Sequence, residues 1–185
     1  PLLGQIKNLR HLDLSSTVIA DGDLGAIARL ESLQVLSFCD CRVSDQNIEK
    51  LAGLKNLREL YLAGTDLTNA GLIRLAAALP NLQQLDISHT SVNSAGLSVL
   101  ARFGEITHLA VGKLNLQDND IRLIGTLETI THLDIGDNPL GNAALKHLGS
   151  LDLAQLGVTG TGITEAAVLD FLEDRPDCEV LMDEN

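Results

Sequence analysis

The chain has 185 residues, of which 45% are hydrophobic and 21% are charged, a composition typical of a folded domain rather than a disordered segment. Asp and Glu outnumber Lys and Arg by 25 to 13, and the net charge of -12 argues against nucleic acid and against anionic membrane surfaces as partners. Only 2% of the residues are aromatic, so the core must be built from aliphatic side chains.

A Leu-x-x-Leu-x-Leu pattern recurs along the chain at spacings of 23 to 25 residues. Its leading residues are Leu9, Leu33, Leu57, Leu82, Ile106, Ile130, Leu153 and Cys178. Near-equal periods of this length indicate a solenoid, because each unit is too small to bury its apolar face alone. We therefore predict one repeat domain over residues 1–185, with repeats that start at 9, 33, 57, 82, 106, 130 and 153 and partial repeats at 1–8 and 178–185.

Each repeat is predicted to begin with a strand and a turn. In the unit that starts at Leu57, Leu60 and Leu62 alternate as in a short strand with one buried face. Thr65 follows in the turn as an inward polar residue, expected to satisfy the backbone of the neighbouring repeat. Its equivalents in the other repeats are Thr17, Cys41, Thr90, Asn138 and Thr161, with Leu114 as the exception.

The second half of each repeat is predicted to be a helix. Thr68 can cap its N-terminus, and Leu72, Leu75 and Leu79 then follow at helical spacing. Stacked units of this kind form an α/β solenoid with parallel strands on the concave side and helices on the convex side.

The last unit is predicted to be a polar closing edge. Cys178 and Leu181 align with Leu82 and Leu85 of the fourth repeat, an alignment that places Leu181 at an inward strand position.

The segments LAGTDLTNAGL, LDISHTSVNSAGL and LDIGDNPLGNAAL resemble the ribonuclease-inhibitor-like and cysteine-containing leucine-rich repeats, and more specifically the Thr-bearing repeats of bacterial proteins. The resemblance covers residues 3–183 and implies a horseshoe fold. In that family such repeats occur in bacterial effectors delivered into host cells, some coupled to a ubiquitin-ligase or F-box part, and in the substrate-recognition halves of eukaryotic F-box proteins. Only Cys41 among the turn positions is Cys, which favours the bacterial branch.

The resemblance implies a protein-protein interaction module that binds its partner on the concave face, in a bacterial effector. The alternative is the substrate-recognition part of a ubiquitin-ligase or F-box-type adaptor whose other domain lies outside this chain. We expect a monomer located in the cytoplasm or secreted into a host cell. No segment resembles a signal peptide, and the three cysteines lack the spacing of a disulfide framework.

The third, fifth, seventh and eighth residues of each repeat are predicted to face the concave side, where they form columns across the strands. The candidate partner-binding residues in these columns are His11, Asp13, Glu59, Tyr61, Gln84, Asp86, His89, His108, Lys113, His132, Asp134 and Asp137. In the same columns the acids are Asp13, Asp40, Glu59, Asp86, Asp134 and Asp137, and the one base is Lys113. An acidic face of this kind predicts a partner with a basic surface.

Three arrangements could carry chemistry. His108, His132 and Asp134 lie on adjacent predicted strands, a set that zinc could use, although flat strand surfaces seldom bring four ligands to one point. His11 and Cys39 are roughly 14 Å apart by strand rise and spacing, too far for a Cys-His nucleophile. The Thr-Gly-Thr-Gly segment at 159–162 falls where every repeat turns, and no Lys follows it as in a phosphate loop. We therefore predict no enzyme activity, no metal and no cofactor.

Overall fold

The computed structural model describes residue 6, residues 8–19 and residues 21–183. In this part of the chain, eight short strands form one parallel sheet in which the strand order follows the sequence. The strands are His11–Asp13 (β1), Val35–Ser37 (β2), Glu59–Tyr61 (β3), Gln84–Asp86 (β4), His108–Ala110 (β5), His132–Asp134 (β6), Gln155–Gly157 (β7) and Glu179–Leu181 (β8). This open parallel sheet confirms the predicted solenoid. The predicted partial repeat at 1–8 lies almost entirely outside the described residues.

Helices connect successive strands and form the convex layer. The α-helices are Asp21–Ile27 (α1), Asp45–Ile48 (α2), Asn69–Ala78 (α3), Ser94–Leu97 (α4), Ile121–Ile124 (α5) and Glu165–Glu173 (α6). The 3-10 helices are Glu49–Gly53, Leu100–Arg102, Asp118–Asp120 and Asn142–Leu148. The convex layer is thus a mixture of α and 3-10 segments, rather than the one α-helix per repeat that the sequence predicted. None of the described helices is long and apolar enough to cross a membrane.

The spacing of the inward leucines explains this mixture. In α3 the buried residues Leu72, Leu75 and Leu79 are separated by three and then four positions, which matches the 3.6 residues per turn of an α-helix. In the second repeat Ile48, Leu51 and Leu54 are each three positions apart, and all three are buried. A repeat of three matches the 3-10 helix, in which residues i and i+3 are eclipsed.

The N-terminus of a convex helix is capped in most repeats where the sequence predicted a cap. The side chains of Thr68, Asn93 and Thr164 accept hydrogen bonds from the backbone N-H groups of the first turn. Ser44 precedes α2 in the same position but its side chain makes no such bond. These caps fix where each helix begins relative to the turn before it.

One continuous hydrophobic core runs between the strands and the convex layer. The central residue of each strand from β2 to β7 points into it and is at most 3% exposed. These residues are Leu36, Leu60, Leu85, Leu109, Leu133 and Leu156. Because neighbouring repeats share this core, burial stabilises the stack as a whole, by about 1.5 to 3 kcal/mol for each fully buried aliphatic side chain.

The turn residue that follows each strand binds the backbone in two ways. Thr65 donates to the carbonyl of Leu62 in its own repeat at 2.7 Å, and Thr17, Thr90 and Thr161 repeat this local bond. The expectation that Thr satisfies the neighbouring repeat is therefore wrong. That role belongs to Cys41, whose thiol donates to the carbonyl of Leu14, and to Asn138.

Asn138 is buried and links the fifth and sixth repeats. Its side-chain oxygen accepts from the N-H groups of Leu114 and Leu116, both at 3.0 Å. Its side-chain nitrogen donates to the carbonyls of Val111 and Ile135. This one amide thus supplies the bonds that Leu114, the exception among the turn residues, cannot make with its own side chain.

The last strand lies one residue out of the predicted register. Val180 is paired with Leu156 at the inward position, while Leu181 is paired with Gly157 and is 45% exposed. The predicted alignment of Leu181 with the inward Leu85 is therefore wrong. Val180 and Met182 pack against the core instead, so Leu181 faces the concave side.

Candidate functional site

The columns that the period predicted are present on the concave face. His11, Val35, Glu59, Gln84, His108, His132 and Gln155 are paired in register from β1 to β7, and so are Asp13, Ser37, Tyr61, Asp86, Ala110, Asp134 and Gly157. Since the residue between the two columns points inward on every strand, these side chains lie on the opposite face of the sheet.

A groove of about 550 Å³ opens on this face between Tyr61 at one end and Leu181 at the other. Its floor is formed where small residues occupy concave positions of the fifth, sixth and seventh repeats. These residues are Ala110, Gly112, Gly136 and Gly157. The groove therefore exists because the concave face carries small residues here and larger side chains on both sides.

Most of the predicted partner-binding residues line this groove. They are Tyr61, Gln84, Asp86, His89, His108, Lys113, His132, Asp134 and Asp137. His11 and Asp13 lie on β1 outside it, and Glu59 lies beside Tyr61 without lining it. Their role in binding stays a prediction.

The sequence prediction did not select the small residues of the floor, nor Ser88, Gln155, Thr159 and Leu181 of the wall. Small residues at concave positions were the available signal for the floor. Leu181 was missed because the last strand was predicted one residue out of register.

The aspartates of the fifth position are held by the turn that follows each strand. Oδ1 of Asp86 accepts from the N-H of Ser88, and Oδ1 of Asp134 accepts from the N-H of Gly136, both at 2.9 Å. Asp13 makes the same bond to Ser15, whose hydroxyl also donates to it, and these bonds lower the pKa of Asp13. These carboxylates are therefore fixed in position by the backbone.

The eighth residue of each repeat adopts a left-handed backbone conformation. In the third and seventh repeats it is glycine, Gly64 and Gly160, where a Cβ would collide with the carboxylate of the preceding repeat's aspartate. His89 and Lys113 hold the same conformation, with φ of 53° and 55°, although it costs an ordinary side chain about 1 to 2 kcal/mol. Ser16, Asp40 and Asp137 share it, so this conformation belongs to the turn of the repeat.

Tyr61 closes one end of the groove. Its hydroxyl lies 2.9 Å from Oε2 of Glu59 and 3.0 Å from Oε1 of Gln84, so two acceptors share one proton. Burial and then the hydrogen bond and charge of Glu59 raise the pKa of Tyr61 to about 12. The ring is thereby held neutral and in place across β3 and β4.

His108 and His132 lie side by side on β5 and β6. Their rings are stacked, with centroids 4.0 Å apart and an angle of 10° between the planes. Burial, followed by the charge of His132, lowers the pKa of His108, while Glu59 opposes this shift. The two rings are therefore in direct contact within the groove.

The acids of the concave face are not neutralised by neighbouring bases. Arg74 and Glu49 form an ion pair at 3.3 Å on the convex side, away from these acids. No group of three or more His, Cys, Asp or Glu side chains in the described part of the chain could hold a metal ion. The set of His108, His132 and Asp134 considered for zinc thus does not form such a group in the structure.

Comparison with known proteins supports the repeat assignment. The family described as "Zer-1-like, Leucine-rich repeats" matches residues 1–111, and the family described as "Leucine Rich repeat" matches residues 126–149. No curated protein matches the sequence. Among solved structures, an internalin (inlF) from Listeria monocytogenes is similar, with a TM-score of 0.57 and 19% identity. The match covers 99% of this chain and 63% of the internalin chain, and at this identity it shows a common fold alone.

Proposed function

Because the chain belongs to the Zer-1-like leucine-rich-repeat family, we propose that it is a protein-binding module whose partner occupies the groove on the concave face. The groove is the observation that carries this proposal. Side chains from six successive strands line it, so it extends across most of the concave face.

The partner is proposed to present Lys or Arg to this surface. Asp86, Asp134 and Asp137 line the groove, and Lys113 is the one Lys or Arg among its lining residues. Exposed charges are screened beyond about 10 Å at 0.1 M salt. Binding should therefore weaken as salt is added, which a titration at two salt concentrations measures. If the affinity does not depend on salt, the proposal of a basic partner is wrong, while the proposal that the groove binds the partner is not affected.

A substitution that fills the groove tests its role. We expect Ala110→Tyr to weaken binding at least about tenfold, or about 1.4 kcal/mol, because the new ring occupies the floor. Tyr61 stands at the same position on β3, so this strand position accepts the side chain. Ala77→Tyr, at an exposed position of the convex helix α3, is the matched control.

The measurement compares proteins captured by the unaltered chain and by the two variants, followed by titration of the captured partner. A partner retained by Ala77→Tyr and lost by Ala110→Tyr would support the groove. Equal retention by all three proteins would overturn it. The effector role, the adaptor alternative and the cytoplasmic or host-cell location stay predictions from the family resemblance.

A further inference from the structure

The stacked histidines of the groove form a repeated local structure. His108 and His132 are paired across β5 and β6, and Nδ1 of each ring lies 2.9 Å from the hydroxyl of the preceding residue, Thr107 or Thr131. Within residues 8–19 and 21–183, these are the side-chain hydrogen bonds that the two rings make. Both rings also line the groove.

Two imidazole rings at this separation cannot take up protons independently. One proton produces a cation stacked on a neutral aromatic ring, an arrangement that the ring face stabilises. A second proton would place two positive charges about 4 Å apart, where they repel each other strongly. Sites that interact this strongly lose their protons in two separate steps that belong to the pair.

Acidic side chains near the pair favour a proton on it, whereas burial opposes that proton at His108. The third column holds no Lys or Arg in the described strands. The polar and charged groups on the neighbouring strands are Glu59 and Tyr61 on β3, Gln84 and Asp86 on β4, Asp134 on β6, Gln155 on β7 and Glu179 on β8, and the groove also holds His89, Lys113 and Asp137. Glu59 raises the pKa of His108, whereas burial and His132 lower it.

We propose that His108 and His132 take up a single shared proton between neutral and mildly acidic pH, and that this proton expels a basic partner from the groove. This inference rests on the proposed function, because it requires a cationic partner at that site. A partner's Lys or Arg favours the neutral pair, so protonation and binding oppose each other. Binding is therefore tightest above the pH at which the pair takes up its first proton, and it weakens as the pH falls through that range.

The shared proton can be measured in the free protein. An NMR titration of the His Cε1 protons should show two steps for the pair, separated by more than about one pH unit. In His108→Gln and in His132→Gln, the remaining ring should titrate in one step. In His132→Gln the pKa of His108 should rise, because the charge of His132 no longer lowers it, while burial still does. Gln84 and Gln155 already occupy this column on the flanking strands, so glutamine suits the position. Two coincident, ordinary titrations in the unaltered protein would overturn the shared proton.

Expulsion is tested with a fluorescent octalysine peptide at pH 7.5 and pH 5.5. For the unaltered protein, we expect Kd to rise about 5- to 10-fold at the lower pH. The double variant His108→Gln/His132→Gln keeps His11 and His89. If Kd rises much less in this variant, the effect of pH belongs to His108 and His132. The same rise in both proteins would overturn the proposal. If neither protein binds octalysine at pH 7.5, the basic partner and the expulsion are both contradicted, while the NMR titration decides the shared proton independently.

Discussion

At the scale of single residues, the aspartates of the concave face have a structural role. Asp13, Asp86 and Asp134 each accept a hydrogen bond from the backbone N-H two residues further on. Where Ala110 replaces the aspartate, the N-H of Gly112 donates to Ser88 Oγ instead. Part of the acidic character of this face therefore follows from how each strand ends.

This role changes the expected effect of removing a concave aspartate. A concave aspartate without a structural role could be replaced by Ala with little change in the free energy of unfolding. We now expect Asp134→Ala to lower the free energy of unfolding by about 1 kcal/mol, since the N-H of Gly136 loses its acceptor. Asp134→Asn keeps the accepting oxygen and is the control. Urea denaturation measures both, and equal losses would show that this bond adds no stability.

The sequence predicted those parts of the candidate site that follow from the spacing of the repeats. Because the columns follow from the spacing of the leading residues, the adjacency of His108 and His132 could be foreseen, and Thr-His-Leu occurs at both 107–109 and 131–133. The groove was not predicted. Its floor depends on the small size of Ala110 and of the glycines, and the prediction selected only polar and aromatic residues of the columns. The left-handed backbone at His89 and Lys113 has no signal in those residues themselves, although Gly64 and Gly160 mark the position in other repeats.

At the scale of elements, the type of convex helix varies with the length of the repeat. The repeat of 25 residues that starts at Leu57 contains α3, an α-helix of 10 residues. The repeat of 23 residues that starts at Ile130 contains only a 3-10 helix of 7 residues between its strand and the next. With rises of about 1.5 and 2.0 Å per residue, the two helices span about 15 and 14 Å. The sequence showed the different lengths, but the change of helix type that equalises them was not predicted.

The register of β8 was missed because the segment permits two alternations. Cys178 and Leu181 have the spacing of Leu82 and Leu85, and Cys178 is indeed buried. Pairing with β7 selects the other alternation, in which Val180 and Met182 face the core. Spacing alone could not separate the two, since both place apolar residues two or three positions apart.

β1 should be less protected than the strands in the middle of the sheet. Its central residue Leu12 is half-buried, whereas Leu85 and Leu109 in the middle of the sheet are 2% exposed. Fewer buried contacts lower the free energy of local opening. We therefore expect faster amide hydrogen exchange in residues 9–32 than in residues 82–127 of this chain. Uniform protection from Leu9 onward would contradict the expectation.

At the scale of the whole molecule, one shared core makes the repeats depend on their neighbours. Leu133 is 3% exposed and packs between the strand layer and the convex layer in the sixth repeat. Leu133→Asp would bury a charge without a partner, and we expect it to destabilise the chain by several kcal/mol and to unfold adjacent repeats as well. Circular dichroism during urea denaturation measures the loss. Asp134→Asn, one residue away on the concave face, is the control, and equal destabilisation would show that the assigned register is wrong.

The unequal repeat lengths have a consequence for how such a chain can change over generations. From β3 to β4 the register holds across an added residue, and from β6 to β7 it holds across a missing one, because the convex segments absorb the difference. Insertions and deletions can therefore accumulate behind the sheet without displacing a single column in front of it. The concave surface can change by substitution of single side chains, so the concave and convex sides of the molecule can evolve independently.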